Sequence, residues 1–235
     1  RRFFRDCGFA VVVSSETNRR IVHDGLETAV AEPCFPIIVA HGHVADLIEK
    51  GVDYLWIPNI LSSETRFLDN ETHVCPWAQT LPFVIRQSPP FRAWQGRILC
   101  PTLEMQTGIQ TIRPILVRAA CDLGVPKKVA EQAFITAFAA QRRFRTDYEE
   151  AGREALDALI ATGEPGMVIV GRPYNIHDAG LNISVTRKLR DSYGVNLIPI
   201  AALPTASVDI RDVNDNMYWE SGRKMIAAAK IVAEH

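Results

Sequence analysis

Met167-Val168-Ile169-Val170-Gly171, followed without a break by Arg172-Pro173-Tyr174-Asn175-Ile176-His177-Asp178, is the stretch from which the fold is read. A short β-branched run with no polar alternation suits a strand buried on both faces, as in a parallel sheet. Behind it, Leu181 to Tyr193 carries apolar residues at 181, 185 and 189, a helical spacing. Asn196 to Ile200 is a second strand, residues 203–215 a polar loop, and Tyr218 to Ala233 a terminal helix. Strand, helix and strand in that order form an open α/β unit with a parallel sheet.

The same alternation is met upstream. Gly8 to Ser14 (GFAVVVS) reads as a buried strand, and Ser15 to Asn18 as a turn rich in helix-capping residues. Arg19 to Val30 has a helical apolar stripe, and Pro36 to Ile48 is a helix with proline in its first turn. Tyr54 to Ile57 is the next strand. Residues 60–73, including Asp69 and Asn70, read as polar and irregular. Pro76 to Arg86 is a helix that Pro82 should kink or end. Ile98-Leu99-Cys100 is a short strand before Pro101, residues 109–121 form a helix, and Lys127 to Thr162 forms one or two long ones. The expected fold is therefore α/β, two Rossmann-like or flavodoxin-like parallel-sheet units with a helical connection. The first unit spans 1–104, the connection 105–162 and the second unit 163–235. Phe3, Phe4 and Cys7 have helical spacing before any strand, so the chain reads as a piece of a longer protein, its first unit without an opening strand and its second incomplete at the C-terminus.

The bulk numbers exclude several classes. With 26 basic and 27 acidic residues the net charge is −1, which gives no electrostatic footprint for nucleic acid or an anionic membrane. No apolar run is long enough to span a bilayer, and the opening Arg1-Arg2-Phe3-Phe4-Arg5-Asp6 is no secretory leader. Five widely spaced cysteines are not a disulfide framework, which points to a reducing cytoplasm. Neither a phosphate-binding glycine loop nor a G-x-S-x-G elbow is present, so neither an ATPase nor a serine hydrolase is read here.

Two Cys-Pro sites carry chemistry instead: Glu32-Pro33-Cys34-Phe35-Pro36 and Val74-Cys75-Pro76-Trp77. Proline fixes the local backbone and removes an N–H donor, and rigid loop thiols suit a soft metal centre. The plain alternative is that each cysteine is a small buried hydrophobe. Cys100 ends a strand and is a third metal-ligand candidate, whereas Cys7 and Cys121 sit on helical apolar stripes and read as packing. His41 and His43 lie two apart, about 200° around a helix at roughly 100° per residue, and do not share a metal. One of them can face a cavity near Cys34. Arg172, Tyr174 and Asn175, at a strand's carboxyl edge, are candidates for contact with a cofactor or substrate, because open α/β sheets bind ligands there. The alternative is a structural turn in which Asn175 and Asp178 cap the next helix.

The segments E-P-C-F-P-I-I-V-A-H-G-H-V (32–44), G-V-D-Y-L-W-I-P (51–58), C-P-W-A-Q-T-L-P-F-V-I-R (75–86), G-R-P-Y-N-I-H-D-A-G-L-N (171–182) and N-M-Y-W-E-S-G (216–222) resemble the acyl-CoA dehydratase activase-related proteins. The likeness is to their region similar to 2-hydroxyacyl-CoA dehydratase subunits, not to their ATPase domains. It implies an oxygen-sensitive [4Fe–4S] or related iron–sulfur cluster, with Cys34 and Cys75 at the family's cysteine positions and no clear counterpart for Cys100. It implies anaerobic electron transfer or radical acyl-CoA dehydration, with ATP used only by a separate activase-type ATPase domain or subunit as partner and an acyl-CoA as substrate. The residues alone leave a second reading open, a non-redox α/β module that binds a CoA ester or docks such an ATPase.

Overall fold

The computed structural model describes residues 1–65 and 71–234. The fold is α/β with parallel strand pairs, in two compact units: residues 1–64 with 74–140, and residues 65–73 with 141–235. Asp69 and Asn70, read as part of an irregular stretch, lie outside the described residues.

In the first unit, α1 (Arg2–Asp6), α2 (Arg19–Thr28) and α3 (Phe35–Glu49) precede β1 (Leu55–Trp56) and β2 (Asn59–Ser62). Then α4 (Pro76–Gln87) and a 3₁₀ stretch (Pro89–Arg97) lead to β3 (Ile98–Leu99) and β4 (Thr102–Glu104). After these come α5 (Ile109–Asp122) and α6 (Lys127–Thr162), the latter with residues in both units. β1 pairs with β3 and β2 with β4, both parallel. Pro58 and Pro101 have no N–H to donate and interrupt the ladder. The Ile57 N–H to Leu99 O and Asn59 N–H to Pro101 O bonds, 2.9 Å each, carry it across the gap. Residues 55–62 and 98–104 thus form one strand pair, with an irregularity between Ile60 and Ser62.

Side-chain alternation splits this pair between two cores. Leu55, Ile57, Ile98 and Cys100 border Val44, Ile85 and Phe91. Leu103 joins Phe3, Ile112, Val117, Ala130 and Phe134. Each buried Leu, Ile or Phe contributes about 2 kcal/mol relative to exposure. Helices therefore cover both faces of a parallel pair, and α5 with the first part of α6 packs on the sheet. Gly25 and Gly42 let α2 and α3 touch: a Cβ on Gly42 would stand 1.8 Å from the Ile21 carbonyl oxygen, and one on Gly25 2.3 Å from that of Ile38.

Three local expectations are corrected. Residues 8–14 are not a strand; they run without a ladder partner among the described residues, with Val12 and Val13 exposed. Polar anchors take the ladder's place: Lys50 Nζ donates to the Val13 carbonyl at 3.1 Å, and the Ser15 N–H donates to Asp46 Oδ2 at 2.8 Å. Pro82 does not end its helix; α4 continues to Gln87 with Pro82 inside it and buried. The start of the polar stretch 60–73 belongs to β2.

In the second unit, β5 (Gly166–Ile169), α7 (Pro173–His177), α8 (Val185–Tyr193), β6 (Asn196–Pro199) and α9 (Glu220–Ala233) follow in order. β5 and β6 are parallel, from Gly166 opposite Asn196 to Ile169 opposite Pro199. Ile176, Ile198, Ile200, Leu203 and Ala228 form the core, against Tyr148, Leu156 and Leu159 of α6. His73 bridges to Trp219: its N–H donates to Tyr218 O at 2.8 Å, and the Glu220 N–H donates to His73 O at 3.0 Å. α8 begins at Val185, later than the apolar spacing predicts. Asp178 Oδ1 accepts from the Gly180 and Leu181 N–H groups in a local turn, and Ile183 and Ser184 are left-handed at φ 56° and 55°. Both are non-glycine residues, and such conformations cost about 1–3 kcal/mol each.

Candidate functional site

Cys34 and Cys75 occupy the same local position, at the start of a helix. Each is the N-cap of a helix, α3 or α4, with extended ψ of 150° and 135° and proline in the first turn. Their carbonyls start the helices, accepting from Ile37 N–H at 2.9 Å and from Ala78 N–H at 2.8 Å. Neither thiol makes a capping bond, so both helices open without a side-chain acceptor. α4 follows β2 and leads back to β3, which sets its first turn toward the carboxyl edge of the parallel pair. For Cys75 this edge is marked by the Val74 N–H to Leu61 O bond, 3.0 Å, at the end of β2. The first turn of α3 instead packs against the end of α2, where the Thr28 carbonyl accepts from Ser88 Oγ, just past the last turn of α4, at 2.6 Å. Cys34 is exposed and Cys75 half-buried, and all five cysteines are free thiols.

Cys100 is placed differently. It borders the core under α4, and its Sγ accepts from the Arg86 guanidinium at 3.3 Å. Cys7 and Cys121 pack against the core on the other face of the sheet, and burial pushes the Cys7 thiol up. Among the described residues no three His, Cys, Asp or Glu side chains are gathered as metal ligands.

The two histidines part as their spacing predicts. His41 is completely buried, its Nδ1–H donating to the Ile37 carbonyl at 2.9 Å and its ring stacked near Phe91. A carbonyl can only accept, so Nδ1 carries the proton and Nε2 is an acceptor with no partner among the described residues. Burial holds this imidazole below its ordinary value, against the backbone bond. It lies in the core and not on a ligand-facing surface. His43 is half-buried, with Nε2 2.9 Å from Thr17 Oγ1.

In the second unit the Arg172 guanidinium donates to Tyr174 Oη at 2.6 Å and lies over the Trp219 ring at 5.4 Å. Its neighbours include two aromatic rings, those of Tyr174 and Trp219, a pairing that suits guanidinium's flat, weakly hydrated face. Asn175 is exposed in the first turn of α7.

One polar hub is absent from the sequence reading. Asp46 is 1% exposed and accepts from Ser15 N–H, Ser15 Oγ, Arg20 and, at 2.9 Å, Lys50. Burial pushes its carboxyl up, but those bonds together hold it well below the usual carboxylate range. The signal was available: Asp46 follows Val39 and Gly42 at helical spacing on the buried stripe of α3.

Compared with known proteins, the chain matches the family described as CoA enzyme activase uncharacterised domain over residues 1–203. No curated protein and no solved structure gives a match. Among the described residues no helix is long and apolar enough to cross a membrane.

Proposed function

The chain belongs to the CoA enzyme activase uncharacterised domain family, and from that premise we propose that it is an iron–sulfur module of an activase-type system. What supports the reading is the common local setting of Cys34 and Cys75, each the N-cap of a helix with proline in its first turn, in the same unit. The residues fit the group in kind. Thiolates are the ligands of iron–sulfur clusters, and helix N-termini with free N–H groups favour a negatively charged centre. Cys34 and Cys75 would hold a [4Fe–4S] or related cluster as two of its ligands, and the other ligands come from outside this pair. Cys100 is set apart from them by Arg86. Such a cluster supplies one-electron chemistry, here assigned to electron transfer toward, or radical dehydration by, a 2-hydroxyacyl-CoA dehydratase-type partner. ATP is hydrolysed in a separate activase-type domain or subunit, and the setting is an anaerobic cytoplasm. Arg172, Tyr174 and Asn175 are assigned to contact with a cofactor or an acyl-CoA, and His43 to anchoring α3 through Thr17.

A second reading is favoured by one observation, that no three-ligand set is gathered among the described residues. It is a non-redox module that binds a CoA ester or docks the ATPase. Anaerobic purification separates the two. Brown protein carrying iron and acid-labile sulfide supports the cluster. Protein that stays colourless after anaerobic reconstitution supports the binding module.

A further inference from the structure

Arg86 stands near the end of α4, half-buried, and among the described residues no carboxylate pairs with it; its side-chain partner is Cys100 Sγ at 3.3 Å. A guanidinium has five donors in a planar fork, and one sulfur leaves most of that fork unused. A second orphan lies on the same strand surface. Asn59 is only 5% exposed; its Nδ2 reaches Thr102 Oγ1 at 3.4 Å, while its Oδ1 is buried and finds no donor among the described residues. Thr102 is opposite Asn59 and two residues beyond Cys100, so all three side chains share one face of the strand pair, spread over about 7 Å along it. A nucleophilic sulfur bonded to an anion receptor that no carboxylate pairs among the described residues, and a buried acceptor without a donor among them, thus lie along one strand face. Leaving a buried acceptor unmet costs about 1–3 kcal/mol, which a ligand's N–H can recover.

We propose that Cys100 is a site of reversible S-thiolation by small disulfides that carry carboxylates and amide N–H groups, with Arg86 receiving a carboxylate and Asn59 Oδ1 an N–H. The step is a thiol–disulfide exchange. The Cys100 sulfur attacks one sulfur of the disulfide, a Cys100–S bond forms and the S–S bond of the reagent breaks. The departing thiolate takes the proton that Cys100 gives up. Cys100 is oxidised and one half of the reagent is reduced to a free thiol. This assignment is independent of the cluster proposed at Cys34 and Cys75.

The test compares three disulfides on the folded, anaerobically prepared chain: glutathione disulfide (anionic, with amides), 2-hydroxyethyl disulfide (neutral) and cystamine (cationic). Adducts are quenched with iodoacetamide and located by peptide mass spectrometry. At Cys100 the glutathione adduct should form about tenfold faster than the cystamine adduct, the scale of one charge pair at a part-buried site. In Arg86→Gln that preference should vanish while the neutral reagent still modifies Cys100. No adduct at Cys100, or an unchanged preference in Arg86→Gln, overturns the proposal. The wild-type comparison stands without the variant, so a misfolded Arg86→Gln leaves the test decisive.

Discussion

Asp46 and His41 stand five residues apart on α3 and carry opposite kinds of burial. Asp46 is charged and saturated with donors, so removing its charge weakens the bonds from Ser15, Arg20 and Lys50 at once, although Arg20 keeps Glu49 and Asp24, and Lys50 keeps the Val13 carbonyl. Asp46→Asn should cost about 3 kcal/mol, read as a lower urea midpoint with the same far-ultraviolet circular dichroism. Because its folded-state carboxyl lies below the unfolded one, this contribution is present above the ordinary carboxylate range and is lost as pH falls through and beneath it. His41 acts in a higher window. Its folded-state value is lowered, so below about pH 6.5 the unfolded chain binds a proton that the folded chain refuses. Stability should therefore fall as pH drops from about 7.5 to about 5.5, and His41→Leu should flatten that part of the profile. An equal slope in both proteins would contradict the neutral, buried imidazole. At this scale the sequence shows which residues are unusual but not their partners. The His41–His43 divergence follows from helical geometry. The Arg86–Cys100 pair does not, because fourteen residues and a change of element separate the two.

At the scale of elements, α2 and α3 are held together by the absence of side chains. A Cβ at Gly42 would overlap the Ile21 carbonyl, whose backbone cannot swing away as a side-chain tip can. Gly42→Ala should destabilise by about 3 kcal/mol, although alanine is the better helix former by about 1 kcal/mol. A thermal melt at or above the wild-type midpoint would refute that packing. The helices were legible from their periodicity, as for α3, α5, α6 and α9, because burial of one stripe decides them. The strands were legible from their short apolar runs, at 54–57, 98–100 and 167–171, but the burial on both faces expected of the last is not found: Met167 and Val170 are exposed. Gly8 to Ser14 has the same β-branched composition but no neighbouring backbone in register among the described residues, and Asp46 and Lys50 hold it instead. Composition states what a strand would bury; only the tertiary neighbours decide whether a ladder exists. The extent of α4 was hidden for a related reason, since a proline inside a helix is tolerated when the packing of its buried face, here Pro82 and Ile85, outweighs one lost bond.

For the molecule as a whole, two α/β units are each built around a short parallel ladder with α6 contributing to both. Family membership and the two helix-capping cysteines meet in one claim, that Cys34 and Cys75 hold a cluster. The Cys-Pro spacing announced two rigid thiols, and the structure adds that both start helices of the same unit. The remaining ligands cannot be read from local sequence, because cluster ligands are assembled by tertiary contact. The most direct measurement is iron and acid-labile sulfide per chain in anaerobically reconstituted wild type, Cys34→Ser, Cys75→Ser and Cys121→Ser, each first shown to keep its circular dichroism. Serine is a poor ligand for iron–sulfur centres, so Cys34→Ser and Cys75→Ser should each lose most of the iron while Cys121→Ser, which alters a packing residue, retains it. Iron content unchanged by both Cys34→Ser and Cys75→Ser, or absent from wild type, would contradict the account.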